Sequence, residues 1–187
     1  MTISAARPRS ALEGVALPAG VRDVPFATQL DLRADPANVT VMAALARALG
    51  VSLPLEPNTV IEGSEVSALW LGPDEWLIVG PLGPTVALEA KLREALAGAR
   101  GSVVDVSANR VILELSGPAV REILEHGVSI DLHPRAFGPG RCAQTLLARA
   151  GIILWQTAAE PQAVYRILVR PSFAGYVVAW LEDAIAG

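Results

Sequence analysis

The order in which strand-like and helix-like stretches follow one another constrains this chain more than any other feature. Phe26, Thr28, Leu30 and Leu32 alternate with Ala27, Gln29, Asp31 and Arg33, the period of a half-buried strand. Asp35-Pro36 predicts an N-cap followed by a first helical residue, and Gly50 a C-terminal cap, so a helix is expected over 36–49. Pro54 and Pro57 punctuate a loop, after which short strands are expected at 59–62, 67–71 and 75–80, the last two joined by a Gly72-Pro73-Asp74 turn. Pro84-Thr85 opens a second helix with Leu88, Leu92, Ala95 and Leu96 in one stripe before Gly98.

The second half repeats this order. Strands are expected at 103–106 and 111–116, followed by a helix that starts at Gly117-Pro118 and closes at Gly127. A loop containing Pro134, Gly138, Pro139 and Gly140 leads to strands at 143–149, 152–156 and 164–170, with Ala150-Gly151 as the tight turn between the first two. Ser172 is the expected cap of a last helix over 173–185. The whole reads β-α-β-β-β-α and then β-β-α-β-β-β-α. The fold class expected is α+β, one lobe built twice, with antiparallel or mixed sheets and four helices. The first lobe would span 21–100 and the second 101–187, the two exchanging strands within one compact unit. Residues 1–20, with Pro8, Gly14, Pro18 and Gly20 and no periodicity, read as a flexible arm.

Composition narrows the function classes. Of the 187 residues 52% are apolar and 18% charged, against roughly 25% charged in a typical soluble domain, so part of the surface is expected to meet another protein. Net charge is −4 and no basic run exists, which excludes an electrostatic footprint for nucleic acid or anionic lipid. No stretch reaches ~18 uninterrupted apolar residues, and 1–17 has no apolar core of leader length. Cys142 is the lone cysteine, which permits no intrachain disulfide and fits a reducing compartment. A cytoplasmic protein without membrane or nucleic-acid partners is the expectation.

Two of the four helices carry ordinary charged faces. The helix at 36–49 has only Asn38, Thr40 and Arg47 as polar groups, and the last helix only Glu182 and Asp183 as charges. Phe173, Val177, Trp180, Leu181 and Ala184 share one side of that last helix, while Val178 and Ile185 lie off it. A helix apolar nearly all round is covered all round, by the other lobe or by a partner. Phe173, Val177, Trp180 and Leu181 are therefore candidate partner-interface residues. Trp70 and Trp76, flanking the Gly72-Pro73 turn, either pack across their hairpin or anchor an interface, and they join the candidates.

Signs of chemistry are sparse. Neither G-x-G-x-x-G nor G-x-x-x-x-G-K-[ST] occurs. His126 and His133 are the only histidines, and with Cys142 their spacing matches no zinc pattern. Ser107 follows Asp105 with no histidine tied to them, so a nucleophilic triad is unsupported, and Cys142 reads as a buried structural thiol.

Asp105-x-Ser107, Gly117-Pro118-Ala119, Ile123-Leu124, Asp131-Leu132, Gly140-Arg141 and Gly151-Ile152-Ile153 together resemble the folate-binding domain of the glycine-cleavage T-protein superfamily. Two further stretches are similar to the gamma subunit family of heterotetrameric sarcosine oxidase. They are 71–77 (Leu-Gly-Pro-Asp-Glu-Trp-Leu) and 142–146 (Cys-Ala-Gln-Thr-Leu), accompanied by Arg170-Pro171-Ser172-Phe173-Ala174 and Trp180-Leu181. The resemblance spans roughly residues 26–185. It implies a duplicated T-protein-like fold in a complex that oxidises sarcosine with oxygen to glycine, hydrogen peroxide, and formaldehyde or methylene-tetrahydrofolate. It also implies larger alpha and beta subunits that hold FMN, FAD and NAD, a small delta subunit, and tetrahydrofolate as a substrate of the complex. A gamma-like chain would hold no cofactor and no metal, and would contribute no catalytic residue.

The resemblance also carries a departure. In the T-protein the strand after a Gly-Gly turn ends in an Asp pair near the folate; aligned on Gly151-Ile152-Ile153, that position holds Leu154 and Trp155 here, and Ala150 replaces the first glycine. Neither side chain supplies a carboxylate to a pterin or to a developing cation. The motif Lys-Gly-Cys-x-x-Gly-Gln of related iron–sulfur assembly factors is replaced by Gly140-Arg141-Cys142-Ala143-Gln144-Thr145. The main expectation is a non-catalytic structural subunit. The alternatives are a stand-alone folate-binding or aminomethyltransferase-like protein, which would need Asp105, Asp131 or Glu114 as its carboxylate, and a ligand-free relative serving another assembly.

Overall fold

The computed structural model describes residues 10–24, 27–81, 83 and 85–187. Ten strands and four helices follow in the order β1 (Val21–Val24), β2 (Thr28–Ala34), α1 (Val39–Leu49), β3 (Val60–Glu62), β4 (Ser67–Gly72), β5 (Glu75–Gly80), α2 (Thr85–Leu96), β6 (Gly101–Asp105), β7 (Val111–Ser116), α3 (Val120–Glu125), β8 (Arg141–Leu147), β9 (Ala150–Ala158), β10 (Val164–Val169) and α4 (Pro171–Ala186). The α+β class with four helices is as expected, and the one strand not anticipated is β1. Phe26, Pro84 and residues 1–9 of the expected arm lie outside the described residues. From Ser10 onward that arm is seated: its hydroxyl donates to Asp23 Oδ2 at 2.6 Å and Leu12 is buried in the core.

The strands form two antiparallel sheets ordered β3-β4-β5-β2-β6 and β1-β7-β10-β9-β8. Matching β2 with β7, β5 with β10, β4 with β9 and β3 with β8 makes the two orders identical. Each sheet is then finished by a strand from the other half of the chain. β1 immediately precedes β2 yet pairs with β7, and β6 immediately precedes β7 yet pairs with β2.

Strand alternation sorts side chains into three apolar layers. Leu30, Leu32, Trp76 and Ile78 pack against Val41, Leu45 and Leu49 of α1 and Leu92 and Leu96 of α2. Leu113, Tyr165, Ile167 and Leu154 pack against Val120 and Leu124 of α3 and Ala174, Val177, Val178 and Leu181 of α4. Between the sheets, Leu69, Leu71, Leu77 and Val79 meet Ile112, Ile153, Trp155 and Leu168. The architecture is helices, sheet, sheet, helices. Among the described residues no helix is long and apolar enough to cross a membrane.

Several element ends differ from the expected ones. α1 begins at Val39 rather than Pro36, because Asn38 Oδ1 accepts the Val41 amide at 3.2 Å while Asp35 Oδ1 accepts that of Ala37 in the preceding turn. Gly50 closes the helix in the left-handed conformation at φ +71°. The β8–β9 turn falls at Ala148-Arg149, not at Ala150-Gly151: Leu147 pairs with Ala150, and Ala148 at φ +50° is held by its amide's bond to Gly127 O at 2.8 Å. Ser172 is not the cap of α4. Arg170 precedes a helix that starts with Pro171 at its first turn, where a missing N–H costs nothing.

The inward face of α4 is set by Ala174, Val177, Val178 and Leu181, so Val178 is core and Phe173 is not. Trp180 lies on the flank of this stripe, partly buried against the second-sheet core, with its ring over Gly127. A Cβ at Gly127 would overlap the Trp180 ring edge and come within 3.0 Å of Leu147 Cδ1. Gly127→Ala is therefore expected to destabilise the chain by about 1–3 kcal/mol, read as a lower urea midpoint at unchanged slope.

Candidate functional site

β9 carries Leu154 and Trp155 side by side. Leu154 is fully buried toward the helices, whereas Trp155, 1% exposed, points between the sheets. Its indole Nε1 has no hydrogen-bond partner among the described residues. The Arg166 guanidinium carbon stands 5.0 Å from the Trp155 ring centroid, a cation–π contact across the β9–β10 pair. The position is an apolar wall without an anionic group.

The three carboxylates that could have served instead are engaged elsewhere. Asp105 Oδ1 accepts from the Ser107 hydroxyl at 2.6 Å and the Ser107 amide at 2.9 Å, shaping the loop after β6. Asp131 Oδ1 accepts the His133 amide at 2.8 Å. Glu114 is clamped between two arginines: Arg22 Nη2 lies 2.6 Å from Oε1, and Arg166 Nε donates to Oε2 at 3.0 Å. Burial alone would raise the Glu114 carboxyl, but the hydrogen bonds and charges of Arg22 and Arg166 outweigh it and hold the pKa below its ordinary value. Glu75 behaves oppositely. Burial, with Asp31 nearby, raises its pKa against the lowering influence of Arg33.

The remaining candidates from the sequence are structural. Cys142 is fully buried, with Sγ 3.5 Å from the carbonyl oxygens of both Thr59 and Trp70. Burial pushes its thiol up to about 12, far from a reactive thiolate. His126 ends α3 with its amide bonded to Ile123 O, and His133 Nδ1 accepts the Arg135 amide at 3.2 Å in a loop. No cluster of metal-ligating side chains occurs among the described residues.

The six candidate interface residues divide. Trp76, Val177 and Leu181 are at 0% exposure within the chain itself, so as docking residues they are corrected: they are its own core. Trp76 Nε1 donates to Pro54 O at 2.7 Å, satisfying its one polar atom inside. Trp70, opposite Trp76 on β4, is partly buried against the first helical layer, and Trp180 is partly buried over Gly127. Phe173 remains open at 43%, joined one turn on by Tyr176 at 40%. Tyr176 was missed because only its spacing from Phe173 marks it. The Arg22–Glu114–Arg166 row was missed as well; its signal is a charge at an inward-facing position of strands otherwise apolar there.

A family model described as "Sarcosine oxidase, gamma subunit family" matches residues 33–187. Among curated relatives, the chain is 45% identical over 166 residues to a sarcosine oxidase subunit gamma of Arthrobacter sp., covering 88% of this chain and 79% of the relative. It is 44% identical over 169 residues to the corresponding subunit of Corynebacterium sp. strain P-1, covering 89% and 79%. Among solved structures it is similar to a chain of the heterotetrameric sarcosine oxidase from Corynebacterium sp. U-96 in complex with pyrrole 2-carboxylate. That match has a TM-score of 0.85 and 40% identity, and covers 96% of this chain and 95% of the other. A glycine cleavage aminomethyltransferase T from Bartonella henselae aligns with a TM-score of 0.63 at 14% identity, over 87% of this chain and 45% of that one, a likeness of fold.

Two outcomes follow from these side chains. Native protein is expected to resist iodoacetamide at Cys142 at about pH 8 while urea-unfolded protein is fully alkylated, as intact mass would report. A carboxyl whose folded pKa is depressed stabilises the fold above its unfolded pKa, and that contribution is lost as pH falls through the folded value. Glu114→Gln should therefore cost about 1–3 kcal/mol near neutral pH, with the two unfolding curves converging below about pH 4.

Proposed function

The chain belongs to the sarcosine oxidase gamma subunit family, and we propose that within the heterotetrameric enzyme it is a structural subunit that performs no chemistry itself. The reaction of the complex is the oxidation of sarcosine by oxygen to glycine and hydrogen peroxide, with the one-carbon unit leaving as methylene-tetrahydrofolate when tetrahydrofolate is present. FMN, FAD and NAD belong to the alpha and beta subunits, a delta subunit completes the assembly, and the complex is cytoplasmic.

The observation that carries this reading is the buried Leu154–Trp155 pair. The T-protein-like scaffold is kept while the place for an acid is filled by apolar side chains at 0% and 1% exposure. Asp105 and Asp131 spend themselves on their own loops and Glu114 on two arginines, which leaves no spare carboxylate for proton transfer or iminium stabilisation among the three. A reduced thiol with a pKa near 12 adds no nucleophile.

Phe173 and Tyr176 on the outer flank of α4 are the apolar contacts offered to a larger subunit. Aromatic anchors of this kind contribute most of the energy of protein interfaces, and neither is needed to fill the core of this chain. Co-expression with the larger subunits tests the reading. Phe173→Asp with Tyr176→Asp should leave the circular dichroism and melting of the isolated chain unchanged while reducing its recovery with the flavin-containing subunits at least about tenfold. Trp155→Phe should assemble and leave kcat intact. A large fall in kcat in the assembled Trp155→Phe complex would overturn the non-catalytic assignment.

A further inference from the structure

Two rows of side chains cross the sheets at matching register positions, and both face the layer between the sheets. In the first sheet the row runs Val104, Asp31, Leu77, Leu69 over β6, β2, β5 and β4. In the second it runs Arg22, Glu114, Arg166, Trp155 over β1, β7, β10 and β9. Leu77 and Arg166 are each the third residue of a six-residue strand, so one half of the duplication closes this position with leucine and the other with arginine. The architecture does not demand a cation there. Arg166 stands at the open end of the layer with its side chain 27% exposed, where the leucine of the other half would do, and such a placement marks a candidate site.

Arg166 is held in a defined orientation. Its guanidinium carbon stands over the Trp155 ring, and its Nε donates to Glu114, whose other oxygen is taken by Arg22. The row carries two cations and one anion. The terminal guanidinium nitrogens of Arg166 have no hydrogen-bond partner among the described residues. Arg166 also lines a cleft of about 550 Å³ at the end of the inter-sheet layer, where β1, β7 and β10 of one sheet face the start of β4 and the end of β5 of the other. The cleft wall sets the aliphatic Val24, Val66, Val79 and Ile112 beside the polar Ser64, Glu65 and Ser67, and its volume falls within the range of small-molecule sites. Among the described residues of the lining, Glu65 is the one carboxylate.

We infer that this cleft binds a small monocarboxylate with an apolar body. The carboxylate takes the two unspent donors of the Arg166 fork, a planar match that an ammonium does not provide. The body lies against Ile112, Val66 and Val79, and Glu65 disfavours a second negative charge. This inference does not depend on the role of the chain in the oxidase complex. It rests on the orientation of Arg166 and on the contrast with Leu77.

Benzoate titrated into the full chain tests it, with benzamide as the uncharged isostere and phthalate as the doubly charged one. Binding is read by ligand-observed saturation-transfer NMR and by tryptophan fluorescence, since Trp155 lies under the guanidinium. Benzoate should bind at least about tenfold more tightly than benzamide, and phthalate more weakly than benzoate. Arg166→Gln should abolish the preference for benzoate, Arg166→Lys should keep part of it, and Glu65→Gln should bring phthalate closer to benzoate. Equal affinity for benzoate and benzamide, or no benzoate binding up to about 10 mM, overturns the inference without any variant. Undiminished benzoate preference in a folded Arg166→Gln protein overturns it as well.

Discussion

Leu69, Leu71, Leu77 and Val79 of the first sheet meet Ile112, Ile153, Trp155 and Leu168 of the second across one apolar layer, and this contact governs the rest of the molecule. With the inner faces occupied by each other, the outer faces can be covered only by helices, which is why each sheet keeps two. The exchanged strands β1 and β6 strengthen the same join, since each sheet is completed by chain from the other half. The join is also made at the far edges, where Cys142 N bonds to Asn58 O and Val60 N to Gly140 O, stitching β8 to β3. A thiol at that seam is buried because both sheets close over it.

Much of this was legible in the sequence, for reasons that can be traced to particular residues. Alternation in β2, the Gly50 cap and the Gly72-Pro73-Asp74 turn are local signals with local causes, and they placed their elements to within a few residues. The failures were tertiary. Ala148 occupies a left-handed turn position that Gly151 seemed better suited to, because the amide of Ala148 is fixed by Gly127 from a distant loop. The sequence groups Phe173 with Val177 and Leu181 on one face of α4 and leaves Val178 off it, yet periodicity alone cannot choose between faces of a helix that is apolar nearly all round. β1 escaped notice because Val21–Val24 is a strand only by virtue of β7, about half the chain away.

The candidate site divides along the same line. That β9 offers Leu154 and Trp155 and no carboxylate there is a matter of residue identity and needed no coordinates, whereas their burial in two different layers did. Arg166 and Glu114 carry no motif. Their meaning emerges only from the cross-strand row that brings Arg22 and Trp155 beside them, and from the row in the other half, where Leu77 takes the place of Arg166. Duplication here supplies an internal control: where two halves share a backbone, a difference in side-chain chemistry is not dictated by the architecture.

Strand exchange also sets an order on the ribosome. The first sheet has all its strands once β6 has left the exit tunnel, so it can close while the second half is still being synthesised. β1 has no such opportunity. It emerges first and must wait, unpaired on both edges, until β7 is made. Arg22 and Asp23 in the middle of that four-residue segment keep it hydrated and unattractive to neighbouring nascent chains during the delay.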